Sequence, residues 1–585
     1  MKSTVALAVA TVLLTMLGAP SHRTLADDPD VRKLLPDTTA VYMEAKSVEY
    51  VLSHPFVKSL QSSAQFKKLM RLPDARKLNA GLVFFEFAVG DKLESVMKSL
   101  TAGGVHVAID KKSEGAVLLA NTESQEWIEE YLQKLAKLAR TDAKSKNQPD
   151  PIQEADYRGV HGYEFQKLMV GNIGAVLIVT NKAELGKSII DRHLDSTSDH
   201  LLNQPLFQQA WNAKTSQPEA SQSCVKAFVD IDTLRQAGVA QDLLMGKAKD
   251  FGAELILGGV LASLNKTSFA MAELFLNEDK ISADFRIPHE KAWTEESRAF
   301  FVGPNGLGHA TTFVDGASLM ANLSTYRNLS ELWLRAGDLF DEKVNDQLAQ
   351  ADSTLTTLFS GKDFGTDILG AIEPQIELIA SEQQFEPDLM PAIQLPSFGL
   401  VAKLKNPMMR KDLKRMFQTF IGFLNFTGAT EGNAQLDLDS ETIDARQIHT
   451  ASYIKESDKK YENGLPIQFN FSPTLAFDGD LVIFTSANSL AKKVSTSVKQ
   501  DVSGKAPLDN TRMKVDFAAI KRILESNRNQ LISQNILEKG HSKPEAEKEI
   551  DTLLGIMSLL RSGMGSLRFD DFVRFSLELE IISDR

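Results

Sequence analysis

Ala175-Val-Leu-Ile-Val-Thr-Asn-Lys-Ala-Glu-Leu-Gly-Lys-Ser-Ile-Ile reads as an apolar strand that ends at Thr180 and passes into a helix. Asp480-Leu-Val-Ile-Phe-Thr-Ser-Ala-Asn-Ser-Leu-Ala-Lys-Lys-Val-Ser repeats that pattern in register without a gap. Thr485, Leu490 and Lys492 stand where Thr180, Leu185 and Lys187 stand in the first copy. One such match is weak, so the flanking sequence decides its meaning.

The flanks repeat in the same order. Val225-Lys-Ala-Phe-Val-Asp-Ile-Asp-Thr-Leu-Arg is echoed by Met513-Lys-Val-Asp-Phe-Ala-Ala-Ile-Lys-Arg, each a strand running into a helix. Each is followed by helical sequence and a hairpin. The first hairpin runs from Thr267 to Pro288 around Asn277-Glu-Asp, the second from Gly565 to Ile582 around Asp570-Asp571. Upstream, Gly90-Asp-Lys-Leu-Glu-Ser-Val-Met before the Gly104 to Asp110 strand parallels Gly365-Thr-Asp-Ile-Leu-Gly-Ala-Ile before Gln375 to Ala380. Four blocks in one order predict two related halves, 27–290 and 300–585, joined between Pro288 and Leu307.

Helices are legible by period. Gln125 to Arg140 aligns Trp127, Tyr131, Leu135 and Leu138, and Met408 to Phe426 aligns Leu413, Met416, Phe417, Phe420, Ile421 and Leu424. Such stripes are normally buried on a sheet. Strands are expected at Tyr157 to Phe165, Gly171 to Thr180 and Val225 to Ile231, with exposed loops at Thr141 to Asp150 and Gln383 to Pro396. Strands and helices in blocks, without strict alternation, predict an α+β fold: two modules, each a mainly antiparallel sheet covered by amphipathic helices.

Composition narrows the function classes. The 585 residues are 43% hydrophobic and 24% charged, an ordinary globular balance that excludes collagenous, coiled-coil and wholly disordered chains. The net charge is −12, and no Lys/Arg cluster stands clear of interleaved acids, which argues against nucleic acid as a partner. The 32 Phe far outnumber 8 Tyr and 4 Trp, so most ring surface lacks a polar handle and suits core filling.

Lys2, the apolar run from Val5 to Leu17, and Thr24-Leu25-Ala26 before Asp27-Asp28 have the layout of a secretory signal peptide over 1–26, with cleavage expected after Ala26. No later stretch reaches 18 uninterrupted apolar residues, so no membrane segment is expected after cleavage, and the protein is expected to be periplasmic or extracellular. Cys224 is the single cysteine, which excludes an intramolecular disulfide; its place in an alternating segment suggests a buried small hydrophobe.

The common chemical signatures fail at named positions. Gly186-Lys187-Ser188 resembles the end of a phosphate loop, but Asn181 stands where that loop needs Gly. Gly303-Pro-Asn-Gly-Leu-Gly has the wrong spacing for a dinucleotide loop and reads as a domain-joining turn. Asp437-Leu-Asp-Ser-Glu-Thr opens like a calcium loop, yet Thr442 and Ile448 occupy the positions of its Gly and its bidentate Glu, so a turn between strands is expected. Ser489-Leu-Ala-Lys492 has the Ser-x-x-Lys spacing without its companion motifs. His193, Asp195, Asp199 and His200 are the best metal donors by spacing, but a solvated helix end followed by a polar loop explains them without an ion. No catalytic, cofactor or metal residue is therefore nominated.

Leu35-Pro-Asp-Thr-Thr-Ala-Val-Tyr-Met-Glu-Ala, Gly103-Gly-Val-His-Val-Ala-Ile-Asp, Tyr157-Arg-Gly-Val-His-Gly-Tyr-Glu-Phe and the Ile178-Val-Thr strand end resemble a family of large secreted bacterial proteins of unknown function with a duplicated α+β module. The second half departs from that pattern at Gly308-His-Ala-Thr-Thr-Phe-Val-Asp. The resemblance implies a secreted two-module protein and supplies no catalytic set. Two functions remain open: a non-enzymatic envelope protein that binds an unknown partner or ligand between its modules, or a hydrolase of cell-envelope polymer acting through carboxylates such as Glu154 and Asp156. The empty motif search favours the first.

Overall fold

The computed structural model describes residues 30–69, 86, 90–213, 222–277, 279–306, 308–314, 319–359, 361–431, 434–443, 446–455, 464–494, 496–499 and 509–582. The signal segment over 1–26 lies outside them. The fold is α+β, with strands paired antiparallel inside each of two compact units. Unit 1 is Met1–Leu244, Thr267–Pro288 and Ile582–Arg585; unit 2 is Met245–Lys266 and His289–Ile581.

Unit 1 carries ten strands: β1 (Thr39–Ala45), β2 (Gly104–Asp110), β3 (Gly115–Asn121), β4 (Ile152–Tyr157), β5 (Val160–Phe165), β6 (Leu168–Ile173), β7 (Val176–Thr180), β8 (Ser223–Asp230), β9 (Phe269–Leu276) and β10 (Lys280–Pro288). Their order across the sheet is β4-β5-β6-β7-β3-β2-β1-β8-β9-β10. The expected strands at 157–165 and 171–180 are each cut in two. Arg158 and Gly159 take positive φ (52° and 84°) and turn β4 into β5, and Gly174 (φ 55°) turns β6 into β7.

Unit 2 carries β11 (Thr312–Val314), β12 (Ala321–Tyr326), β13 (Ile372–Ser381), β14 (Ser397–Leu404), β15 (Leu436–Ile443), β16 (Arg446–Tyr453), β17 (Thr474–Asp478), β18 (Leu481–Thr485), β19 (Thr496–Lys499), β20 (Thr511–Asp516), β21 (Leu560–Phe569) and β22 (Phe572–Ile581). β11 and β19 pair with each other. The other ten run β15-β16-β17-β18-β14-β13-β12-β20-β21-β22. That is the strand order of unit 1, position for position. Asp437 to Thr442, expected as a turn, is the edge strand β15: its acidic residues alternate with Leu436, Leu438 and Ser440, with Asp437 and Asp439 exposed, as edge strands tolerate, and Glu441 partly buried.

The helices that position side chains for the argument below are α1 (Gln125–Ser145), α2 (Ala183–Asp195), α3 (Pro205–Trp211), α4 (Met409–Glu431) and α5 (Asn488–Lys493). In unit 1, Ile128 and Leu132 of α1 close over Val105, Ala120 and Leu177, while α2 packs on β3 and β7 from the other face. In unit 2, Phe417 and Ile421 of α4 close over Ala402 and Val482, and Leu490 of α5 over Val401 and Ile483. Each such fully buried side chain contributes roughly 1.5–3 kcal/mol by leaving water.

The division of the chain departs from the expected 27–290 and 300–585. Residues Met245–Lys266 belong with unit 2, for a packing reason. On the helix Phe251–Lys266, a Cβ at Gly259 would come within 2.5 Å of the Phe301 ring, and one at Gly258 within 3.2 Å of Phe300. The same helix buries Glu254, which binds Arg298 through two bonds of 2.7 and 2.9 Å. Glycine contact and a buried ion pair both fix this helix on unit 2.

Candidate functional site

The helix α1 presents three faces. Ser124 caps it, its Oγ accepting from the Trp127 backbone N–H at 3.2 Å. Ile128, Leu132 and Ala136 are buried toward the sheet. Tyr131, Leu135 and Leu138, expected on the sheet-facing stripe, instead surround Val96 of the helix Leu93–Leu100, while Trp127 packs both there and on the sheet core, its ring stacked on Tyr131 at 4.9 Å. The third face, Gln133, Lys137, Arg140 and Lys144, looks onto the outer strands β4 and β5. This helix also runs to Ser145, through half of the loop expected at 141–150.

A row of directly opposed residues explains why that third face borders a concavity. Val107, Leu118, Val179, Val170, Tyr163 and Glu154 follow one another across six strands, from the sheet interior to its edge. The row is apolar beneath α1 and polar beyond it. Two open cavities result, about 460 Å³ beside Lys137, Arg140 and Lys144, and about 430 Å³ beside Gln125, Glu129 and His193. Both are bordered by Gln133, His161 and Tyr163. A smaller apolar one of about 130 Å³, against α2, also touches His161 and Tyr163.

The His161 and Tyr163 rings meet edge to face at 5.2 Å. Burial, with the nearby Glu154 charge, holds the Tyr163 phenol above its ordinary pKa. The surrounding carboxylates are mostly occupied by arginines. Arg140 donates to Asp150 at 3.1 Å and to Glu154 at 2.9 Å; Arg158 donates to Asp191 at 2.7 Å and forks onto Asp195 at 2.7 and 2.8 Å. Asp156 is exposed, 3.3 Å from His161 Nδ1. Glu154 and Asp156 thus lie on one strand, and Glu154 is engaged by Arg140.

The four candidate metal donors are separated. His193 lines the second cavity, Asp195 is held by Arg158, Asp199 accepts from Arg192 at 2.9 Å, and His200 pairs with Pro36 in an isolated bridge. Among the described residues no group of three or more His, Cys, Asp or Glu side chains is placed to hold an ion. Lys492 reaches Glu441 at 2.6 Å. Cys224 is buried on β8.

A second polar cluster crosses unit 1 beneath α3. His106, Glu44, Lys226, Glu273 and Asp284 are opposed in sequence on β2, β1, β8, β9 and β10. Tyr42 Oη donates to Glu44 at 2.9 Å and lies 2.8 Å from His106 Nδ1, so the imidazole N–H donates to the phenol oxygen. The Lys226 ammonium lies 4.2 Å over the Trp211 ring and 3.6 Å from Glu273, which also binds Arg286. Most of these groups are paired with one another, while the buried Arg286 Nε has no partner among the described residues.

The positions matching Tyr163 and Glu154 in unit 2 are His449 and Ser440, opposed in the same way on β16 and β15. There His449 is buried and bonded to Ser440 Oγ at 2.7 Å. The flank that is polar and open in unit 1 is therefore packed in unit 2. Sequence reasoning quoted His161 and Tyr163 without nominating them. The available signal was the spacing of Lys137, Arg140 and Lys144 on one helical face.

No family model and no curated protein matches the chain. Two solved structures, crystal forms I and III of TP0453, resemble it at 10% identity with TM-scores of 0.25 and 0.24; they cover 45% and 47% of this chain and 80% and 85% of their own. Likeness at that level carries no argument about fold or function.

Proposed function

We propose that this is an exported, periplasmic or extracellular protein of the cell envelope that binds a ligand or partner without transforming it, in the groove between α1 and the β4–β5 hairpin. The observation that carries this reading is the pair of polar cavities sharing Gln133, His161 and Tyr163. Aromatic and amide side chains converge there from a helix and a sheet, rigid elements suited to holding a ligand. Of the nearby carboxylates, Asp150, Glu154, Asp191 and Asp195 are tied to guanidinium groups, while Asp156 lies beside His161 and Glu129 accepts from Gln125. A hydrolase needs one carboxyl free to give a proton and a second facing it, and Glu154 with Asp156 does not supply that arrangement. Among the described residues no helix is long and apolar enough to cross a membrane.

Sedimentation with insoluble cell-wall polymer tests this reading. Protein is expected in the pellet without release of new reducing ends, and the His161→Ala/Tyr163→Ala variant in the supernatant. Release of reducing ends that stops in Glu154→Gln would replace binding by hydrolysis, and wild-type protein left in the supernatant would remove the groove from consideration.

A further inference from the structure

The two cavities form one groove along a single face of α1. Gln125, Glu129, Gln133, Lys137, Arg140 and Lys144 are spaced at three or four residues, which keeps them on one side of a helix. At about 1.5 Å per residue, the stretch from Gln125 to Lys144 runs about 28 Å. Its opposite wall is β5, where His161 and Tyr163 mark the middle of the run. A compact metabolite would fill one cavity; a groove of this length matches an extended chain.

Charge along the groove is uneven. The end near Gln125 is acidic, because one Arg158 is shared by Asp191 and Asp195 and Glu129 lines the cavity with only the Gln125 amide against it. At the other end, Arg140 is matched by Asp150 and Glu154, but the exposed ammonium groups of Lys137 and Lys144 have no acidic partner among the described residues. What sets these two exposed cations apart from other surface lysines is their place beside a cavity of about 460 Å³. A helix C-terminus favours cations by its dipole, which accounts for Lys144 in the last turn and leaves Lys137, two turns earlier, unexplained.

The lining also bears on the kind of chain. Besides the cations it offers Gln133, Thr141, His161 and Tyr163, donors and acceptors suited to hydroxyl groups, and Ala136 is the apolar side chain at the basic end. A peptide would want apolar pockets for alternate side chains. We propose, resting on the groove reading above, that the ligand is a linear, hydroxyl-rich acidic polymer whose carboxylate or phosphodiester groups sit at Lys137 and Lys144, with His161 and Tyr163 against its sugar or polyol backbone.

Affinity electrophoresis in low salt with polygalacturonate, poly(glycerol phosphate) and neutral dextran tests it. Retardation by at least one anionic polymer and not by dextran is expected, easing as salt rises. Lys137→Glu/Lys144→Glu should weaken it about tenfold or more, while Lys112→Glu/Lys343→Glu, of equal charge change at exposed lysines elsewhere, should leave it near wild type. Which polymer is retarded separates carboxylate from phosphate. Equal loss in the two lysine variants, or no retardation by either anionic polymer, overturns the proposal. Retardation by dextran, unaffected at Lys137 and Lys144 but lost in His161→Ala/Tyr163→Ala, overturns the anionic class and leaves the groove reading standing; indifference to all groove variants removes both.

Discussion

His106 of unit 1 and Glu377 of unit 2 hold the same place in their sheets. Each lies on the sixth strand of its order, opposite Leu119 or Val401, which in turn faces the isoleucine two residues before Thr180 or Thr485. Both have polar partners, Glu377 fully buried and His106 partly so. Glu377 accepts from the backbone N–H groups of Phe313 and Val314 at 2.7 and 3.1 Å and from Asn322 at 2.9 Å. The strand order is thus the same in both units while the chemistry at a matched position differs.

Acid should destabilise unit 1 through His106. Burial and then the Arg32 charge push its pKa from 6.5 down to about 4, so the unfolded chain binds a proton that the folded one refuses. Stability therefore falls as pH drops from about 6.5 toward 4, by up to about 3 kcal/mol. Thermal melts at stepped pH should show a shallower fall in His106→Asn; parallel curves would dismiss this assignment.

Arg327 is a buried guanidinium whose partners are the Leu255 and Tyr326 carbonyls, Asn510 Oδ1 and Thr511 Oγ1, none of them a carboxylate. Burial lowers its pKa to about 9, and it lies 3.4 Å over the Phe301 ring. Arg327→Ala removes the donors to the Leu255 and Tyr326 carbonyls and should cost about 3 kcal/mol in urea unfolding. A loss under about 1 kcal/mol would show that water replaces the side chain.

Glu273 is shared by Arg286 and Lys226, whose side chains are 1% and 15% exposed. Removing the deeper partner exposes more uncompensated charge. Arg286→Met should lose about 3–5 kcal/mol and Lys226→Met clearly less. The reverse order in denaturant titrations would mean that Lys226 is the principal counter-charge.

Burial pushes the Cys224 thiol up to about 11. A neutral, enclosed thiol reacts slowly, so labelling by a maleimide at pH 7 should be complete only after denaturation. Rapid labelling of native protein would place β8 at the surface.

Much of the architecture was legible because strand ends and hairpins carry local signals: Thr180 and Thr485 before their helices, and Asn277 and Asp570 at the turns. What escaped depended on distant partners. Tyr131, Leu135 and Leu138 have the period of a sheet-facing stripe, and only the arrival of Val96 from another helix gives them a different neighbour. Gly258 and Gly259 look like weak points in a helix until Phe300 and Phe301 meet them. The candidate groove was harder still. His161 and Tyr163 are ordinary strand residues by pattern, and their significance comes from α1 stopping short of the sheet edge. The separation of His193, Asp195, Asp199 and His200 was equally unreadable, since Arg158 and Arg192 decide it in space.

The pairing of β1 with β8 also constrains when the sheet can assemble. Ala45 meets Val225, and in unit 2 Thr325 meets Thr511, so the central strand of each sheet waits for a neighbour synthesised nearly two hundred residues later. Closing so long a loop has to precede the contacts that reward it, which makes folding slow and leaves the β9–β10 and β21–β22 hairpins without their docking edge meanwhile. Refolding should be rate-limited by this central closure, and during synthesis each sheet would join its centre only when the last third of its own unit had emerged.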